Sequence, residues 1–195
     1  PSSEKYGGGG QKERPISATT LTLRAQHDGE YTSEVKVGLS DKAKVGIDAL
    51  DQFAPPVSFS DVALRLQAPE GVSSARLNYL AHEYRPSTSA GQSFGLVLRS
   101  AVGTPVQLSA DGLEAFTTQE VVLIDERSGR PYDLRESSSV RFTPSADQTN
   151  LRLVIGSSMY VEKEKAKTAP SELALQPNYP NPFSGRTTLE YALPE

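Results

Sequence analysis

Residues 120–134 read Glu120-Val121-Val122-Leu123-Ile124-Asp125-Glu126-Arg127-Ser128-Gly129-Arg130-Pro131-Tyr132-Asp133-Leu134. Four consecutive apolar residues, two of them Val and one Ile, are followed at once by a polar turn carrying Gly and Pro. A run this short and β-branched is a strand with its centre covered on both faces, and Asp125 to Pro131 is the hairpin turn that returns through Tyr132 and Leu134. The same grammar extends in both directions. Leu21, Leu23 and Ala25 alternate with Thr22 and Arg24, then His27-Asp28-Gly29-Glu30 turns the chain, and Val35, Val37 and Leu39 alternate with Glu34, Lys36 and Gly38. These two strands pair as a hairpin, because Asp-Gly suits the positive φ of a tight turn. Further strands are expected at Val62-Leu64-Leu66, at Leu77-Tyr79-Ala81 (with Arg76, Asn78 and Leu80 on the opposite face), at Phe94-Leu96-Leu98, at Val106-Leu108, at Val140-Phe142 and at Leu151-Leu153-Ile155. Lys44 to Ser60, interrupted by Pro55-Pro56, reads as a long crossover. About nine strands at intervals of roughly 8 to 14 residues, with no sustained helical period, predict an all-β fold: an antiparallel β-sandwich, Ig-like or jelly-roll-like.

Composition agrees with one such domain plus flanking segments. The chain has 195 residues, 36% of them hydrophobic, with Gly 15 and Pro 14. Typical domains reach about 45–50% apolar, although that figure counts Gly. Lys and Arg total 20 against 24 Asp and Glu, for a net charge of −4. A mildly acidic chain without a basic stripe argues against nucleic acid as a partner. No apolar run reaches about 18 residues, so no membrane-spanning helix is expected. The absence of Cys excludes disulfides, thiolate nucleophiles and Cys-ligated zinc. Residues 1–15, with Gly7 to Gly10 among charges, read as a flexible linker; 16–160 as the β-sandwich module; 161–172, opening on Glu162-Lys163-Glu164-Lys165, as a charged solvated linker; and 173–195 as the start of a second, Pro-rich unit. The chain opens Pro1-Ser2-Ser3, without an initiator Met or an apolar leader, so a mature or excised piece is expected.

The last segment carries the most specific pattern. Pro177, Pro180 and Pro182 impose extended or turn backbone, Asn178 and Asn181 can close side-chain turns, and Tyr179 and Phe183 are aromatic anchors. Thr187, Leu189, Tyr191 and Leu193 then alternate as a strand. The run Pro177-Asn178-Tyr179-Pro180-Asn181-Pro182-Phe183, followed by Thr187-Thr188-Leu189-Glu190-Tyr191-Ala192-Leu193-Pro194-Glu195, resembles the opening of the type A C-terminal sorting domain of type IX secretion cargo from Bacteroidota, Rhodothermota and related phyla. That family's pattern is close to NYPNPFNPSTTI-x-Y-x-LP; here Ser184-Gly185-Arg186 replaces Asn-Pro-Ser. The resemblance implies a small Ig-like β-sandwich read by the outer-membrane secretion machinery, and a secreted, extracellular or outer-surface location. Only its first strand falls within this chain, so the segment is not expected to act as a complete sorting signal. Residues 36–157 resemble, more loosely, the β-sandwich modules that precede such tails, through Gly46-Ile47-Asp48-Ala49-Leu50-Asp51 and Leu151-Arg152-Leu153-Val154-Ile155-Gly156.

Reaction chemistry is sparse. His27, in a turn, and His82, at the polar end of a strand, read as ordinary surface histidines, since a metal site needs a third ligand and convergence that sequence does not show. Asp48 and Asp51 are the candidate oxygen ligands for Ca²⁺ in the crossover loop, and their other reading is turn and cap hydrogen bonding. Paired carboxylates for glycoside hydrolysis need a cleft and a defined separation, and Glu120, Asp125 and Glu126 are candidates only by being present. Tyr79, Tyr84, Phe94 and Tyr132 are aromatic enough for a sugar platform, or for the core. No Gly-x-Ser-x-Gly elbow, His-Glu-x-x-His or phosphate loop occurs. The expectation is a non-enzymatic C-terminal region with a structural or assembly role and no cofactor. Its ends are expected to be held by protein partners or by copies of itself through sheet edges. A carbohydrate- or protein-binding module, and an accessory domain of a secreted hydrolase with its catalytic domain upstream, are the alternatives.

Overall fold

A strand with one wet face must bury the other, and a long enough series of such strands can do so by wrapping a single sheet around its own apolar side. This chain does that. The computed structural model describes residues 18–55, 62–69, 78–88 and 90–168, with 174–175, 185, 187, 189 and 191–192. The strands are β1 (Thr19–His27), β2 (Glu30–Leu39), β3 (Gln52–Phe53), β4 (Val62–Gln67), β5 (Tyr79–Arg85), β6 (Gly91–Ser100), β7 (Val106–Asp111), β8 (Glu120–Asp125), β9 (Pro131–Asp133), β10 (Ser139–Phe142) and β11 (Gln148–Gly156). They form one sheet in the order β10-β7-β1-β2-β5-β4-β6-β11-β8-β9, with β3 added beside β5. The fold is all-β and sandwich-like, and it comes close to a barrel. The inward residues of both ends of the sheet meet in one cluster, including Leu21, Leu23, Leu64, Phe94, Leu108, Leu123, Val140 and Leu153. The two edge strands approach through Tyr132 on β9 and Phe142 on β10, whose rings lie edge-to-face with centroids 5.3 Å apart.

The β1–β2 hairpin forms at the expected turn, with Asp28 and Gly29 at φ 51° and 80°. Two consecutive positive φ values make the tight turn whose twist matches the strands, and Asp-Gly supplies them at small cost. The Asp125 turn is closed by its own carboxylate, which accepts from the Arg127 amide at 2.9 Å and the Ser128 hydroxyl at 2.9 Å.

Three features depart from the alternation reading. β2 and β5 run parallel, because the chain between them crosses over rather than turning back. On β5 it is Leu80 and Glu83 that are buried, whereas Tyr79 and Ala81 are only partly covered. A single step along β3 spans two residues of β5, from Leu80 to His82, and this bulge brings Glu83, rather than His82, to the side of Leu80. Lastly, the charged stretch expected as linker from residue 161 is helical up to Thr168. Helix α1 (Ser158–Thr168) rests on the outer face of β8 and β11, where Val161 joins Val122, Ile124 and Val154 in a second small cluster against Tyr160. The helix is held further by Arg152, whose guanidinium pairs with Glu126 and lies 3.6 Å from the buried Glu164.

Beyond the helix, β12 (Ala174–Leu175) and β13 (Tyr191–Ala192) pair antiparallel as a separate two-stranded sheet. The linker expected over 1–15 and the residues Pro177 to Phe183 lie outside the described residues. Among the described residues no helix is long and apolar enough to cross a membrane.

Candidate functional site

The phase shift on β5 creates the polar end of the core. β5 lies beside β2 with Val37 opposite Glu83 and Leu39 opposite Arg85. Val37 and Leu39 belong to the enclosed core, so the parallel register carries a carboxylate and a guanidinium on the same side, at the mouth of the sheet. Tyr84, between them, faces outward: a Cβ at its partner Gly38 would come within 2.5 Å of its ring.

Glu83 is almost entirely buried, and one residue holds it there. Arg85 directs Nε (2.7 Å) and Nη2 (2.6 Å) at the same oxygen, Oε1. Its Nη1 donates to the Ser93 carbonyl, and its guanidinium carbon lies 4.7 Å from the centroid of the Phe94 ring. This is a one-oxygen grip rather than a two-pronged fork, and Glu83 Oε2 is left buried without a hydrogen-bond partner. Burial raises the Glu83 pKa above the ordinary carboxylate value; Arg85 acts against the shift and Asp51 adds to it.

The mouth opens into a pocket of about 310 Å³ lined by Lys44, Val45, Gly46, Pro69, Glu83, Arg85, Pro86 and Gln92. The Gln92 amide is oriented by donation from Nε2 to the Pro86 carbonyl at 2.9 Å. Its rim is the loop after β2, and that loop is built by the two Ca²⁺ candidates. Asp48 accepts the Lys44 amide on Oδ2 and the Leu50 amide on Oδ1, both at 2.7 Å. Asp51 accepts the Asp48 amide on Oδ2 and the Tyr84 amide on Oδ1, both at 2.8 Å. Every oxygen of the pair thus serves a backbone N–H, and Asp51 fastens the loop to β5. Among the described residues no group of three or more His, Asp or Glu side chains comes together to hold a metal.

The other singled-out residues do not converge. His27 is at the opposite end, with Nδ1 2.9 Å from the Pro105 carbonyl oxygen. His82 is on the outer face opposite Lys36, where burial and then the Lys36 charge lower its pKa, with Glu34 acting the other way. Glu120 accepts from the Ser158 hydroxyl at the start of α1, Asp125 closes its own turn and Glu126 holds Arg152. Phe94 is fully buried, Tyr79 stacks under Arg65 at 4.1 Å, and Tyr132 meets Phe142, so the four aromatic residues share no platform.

The chain matches no family model, no curated protein and no solved structure.

The mouth residues Lys44, Glu83, Arg85 and Gln92 were not singled out by sequence reasoning. The one available signal is Glu83-Tyr84-Arg85-Pro86, two opposite charges two apart on a strand ending at Pro, which places both on one face.

Proposed function

We propose that this chain is the non-catalytic C-terminal β-sandwich region of an exported bacterial protein, located at the outer cell surface or outside the cell, with a structural or assembly role and the beginning of a sorting tail. The observation that carries the reading is the run Pro177 to Phe183 and the Thr187 to Pro194 pattern after it. Two structural facts support it. The residues after α1 form their own strand pair, β12 with β13, on either side of that run rather than extending the main sheet. The candidate carboxylates Asp48, Asp51, Glu120, Asp125 and Glu126 are engaged in turns, caps and ion pairs that fix the scaffold.

The test is fractionation of the producing cells with an antibody to the folded module. The reading expects the protein at the surface or in the medium, and its retention in the periplasm when the type IX machinery is disabled. A cytosolic protein, or export indifferent to that machinery, would falsify it. Turnover by the purified chain across a panel of glycoside, ester and peptide substrates would equally count against it, provided that it were lost on substitution of the chain's own side chains.

A further inference from the structure

We propose that the outer face of β4, β6 and β11 docks an extended acidic peptide segment of a partner protein, with carboxylates at two alternate positions, one on Arg65 and one on Arg99. The residues concerned belong to the main sheet, so this goes beyond the scaffold reading and stands without it.

The register puts the two guanidiniums on one face. Leu64 and Leu66 on β4, and Leu96 and Leu98 on β6, enter the enclosed core, so Arg65, Val97 and Arg99 lie on the outer side. Arg65 is opposite Val97 and Arg99 is opposite Ala63, which makes the two arginines diagonal neighbours. The Arg65 guanidinium carbon lies 4.1 Å from the centroid of the Tyr79 ring. Its Nε is buried without a partner, whereas its terminal nitrogens reach solvent, and Arg99 is exposed. Neither guanidinium has a hydrogen-bond or ion-pair partner among the described residues. Burial lowers the Arg65 pKa; the Tyr79 phenol acts against the shift and Arg99 adds to it. A ring against one guanidinium restrains its plane and leaves a donor fork suited to the two oxygens of a carboxylate.

Charge and spacing select the partner. Near this face, Glu126 and Glu164 are held by Arg152 and Lys167, and Asp147, just before β11, pairs with neither free arginine. Asp61 and Glu70, on either side of β4, lie outside the described residues. Diagonal neighbours on antiparallel strands are about 7–8 Å apart. Alternate residues of an extended chain share a side and are about 7 Å apart, so acidic residues at every second position meet both arginines, whereas two adjacent ones point opposite ways. Beside Arg99, Gln148 Nε2 donates to Asn150 Oδ1 at 3.0 Å. That contact leaves the Asn150 amide nitrogen and the Gln148 amide oxygen for the backbone of the docked segment.

Fluorescence anisotropy of the 195-residue chain with two labelled peptides of equal charge is the experiment. One is Gly-Thr-Glu-Thr-Glu-Thr-Gly, with alternate carboxylates; the other is Gly-Thr-Thr-Glu-Glu-Thr-Gly, with adjacent ones. The alternate peptide is expected to bind with a Kd of about 0.3 mM at low salt, and the adjacent one about fivefold more weakly. Arg99→Gln, at an exposed position, should weaken the alternate peptide about tenfold with an unchanged Tm. Arg65→Lys keeps the charge but not the fork, and should weaken it about threefold. Arg141→Gln, on β10, should change nothing. Absence of binding, equal affinity for the two peptides, an undiminished Arg99→Gln variant, or an equal loss with Arg141→Gln overturns the proposal. Binding of dextran sulfate without discrimination between the peptides assigns the face to a sulfated glycan and overturns it too. If Arg65→Lys lowers the Tm, the peptide comparison and Arg99→Gln decide.

Discussion

Leu123 and Ile124 are neighbours on β8, both are fully buried, and they face opposite ways. Leu123 enters the enclosed cluster that every long strand helps to line. Ile124 belongs to the outer cluster, where it and Val122 and Val154 are covered by Val161 and Tyr160 from α1. Equal burial thus has different owners. Inside, the cover is the sheet itself and cannot leave without unfolding. Outside, it is a short helix fixed by Val161 and Tyr160 and by the Arg152 and Glu164 charges. The outer cover should therefore open well before the inner one, because local stability follows the number of buried apolar contacts that must be broken.

Truncation of the inner residue is the largest effect expected. Leu123→Ala removes atoms from a site whose walls are all strands, and should cost about 3–5 kcal/mol by urea denaturation. Ile124→Ala should cost about 2 kcal/mol, because the helix can settle into the space. Equal costs would mean that α1 is as rigid a wall as the sheet. Gly156→Ala tests the same boundary by overfilling it. A Cβ there would lie 2.7 Å from the Ala90 carbonyl oxygen and 2.9 Å from both the Gly91 Cα and the Tyr160 ring. The backbone contacts cannot yield without parting β6 from β11, so about 2 kcal/mol is expected. Arg152→Ala should act more locally. It leaves Glu164 with Lys167 alone, and should cost about 1–2 kcal/mol. Its signature is faster amide exchange through 158–168 with β6 and β11 still protected; a uniform loss of protection would merge the two regions into one cooperative unit.

The same two regions show what the sequence could tell. Strand placement was legible, because Leu21-Leu23-Ala25, Leu64-Leu66 and Leu151-Leu153-Ile155 each alternate with polar or outward residues and each enters the core. Val121 to Ile124 even announced that both faces needed cover. What supplied the outer cover was not legible. Only Val161 and Glu164 of α1 are buried, three residues apart, and one of the two is charged, so no apolar helical period is there to read. The mouth pocket was hidden for a different reason. Its two key charges continue the alternation of Tyr79 and Ala81, but two charges at the end of a strand read as solvent-facing, and the bulge that sets Glu83 on the side of Leu80 leaves no mark in residue type. The loop aspartates were visible as a pair with two readings, and the pattern of amides around Asp48 and Asp51 depends on where β5 passes.

The smallest effect expected distinguishes the polar mouth from the apolar interior by pH. Burial raises the Glu83 pKa, so the folded chain keeps that proton above the ordinary glutamate value, at which the unfolded chain releases it. In that window the folded state binds more protons than the unfolded state, and stability contributed by the neutral carboxyl falls as pH rises through the raised value. Glu83→Gln keeps the shape but cannot ionise. Its stability relative to the parent should therefore improve from pH 4 toward neutrality, whatever the fixed cost of weakening the Arg85 contact. Leu123→Ala, which changes no titrating group, should run parallel to the parent over the same range. Urea midpoints at a series of pH values read both. A Glu83→Gln curve parallel to the parent would mean that Arg85 and solvent compensate the carboxylate fully, and that the mouth is wetter than its buried oxygen indicates.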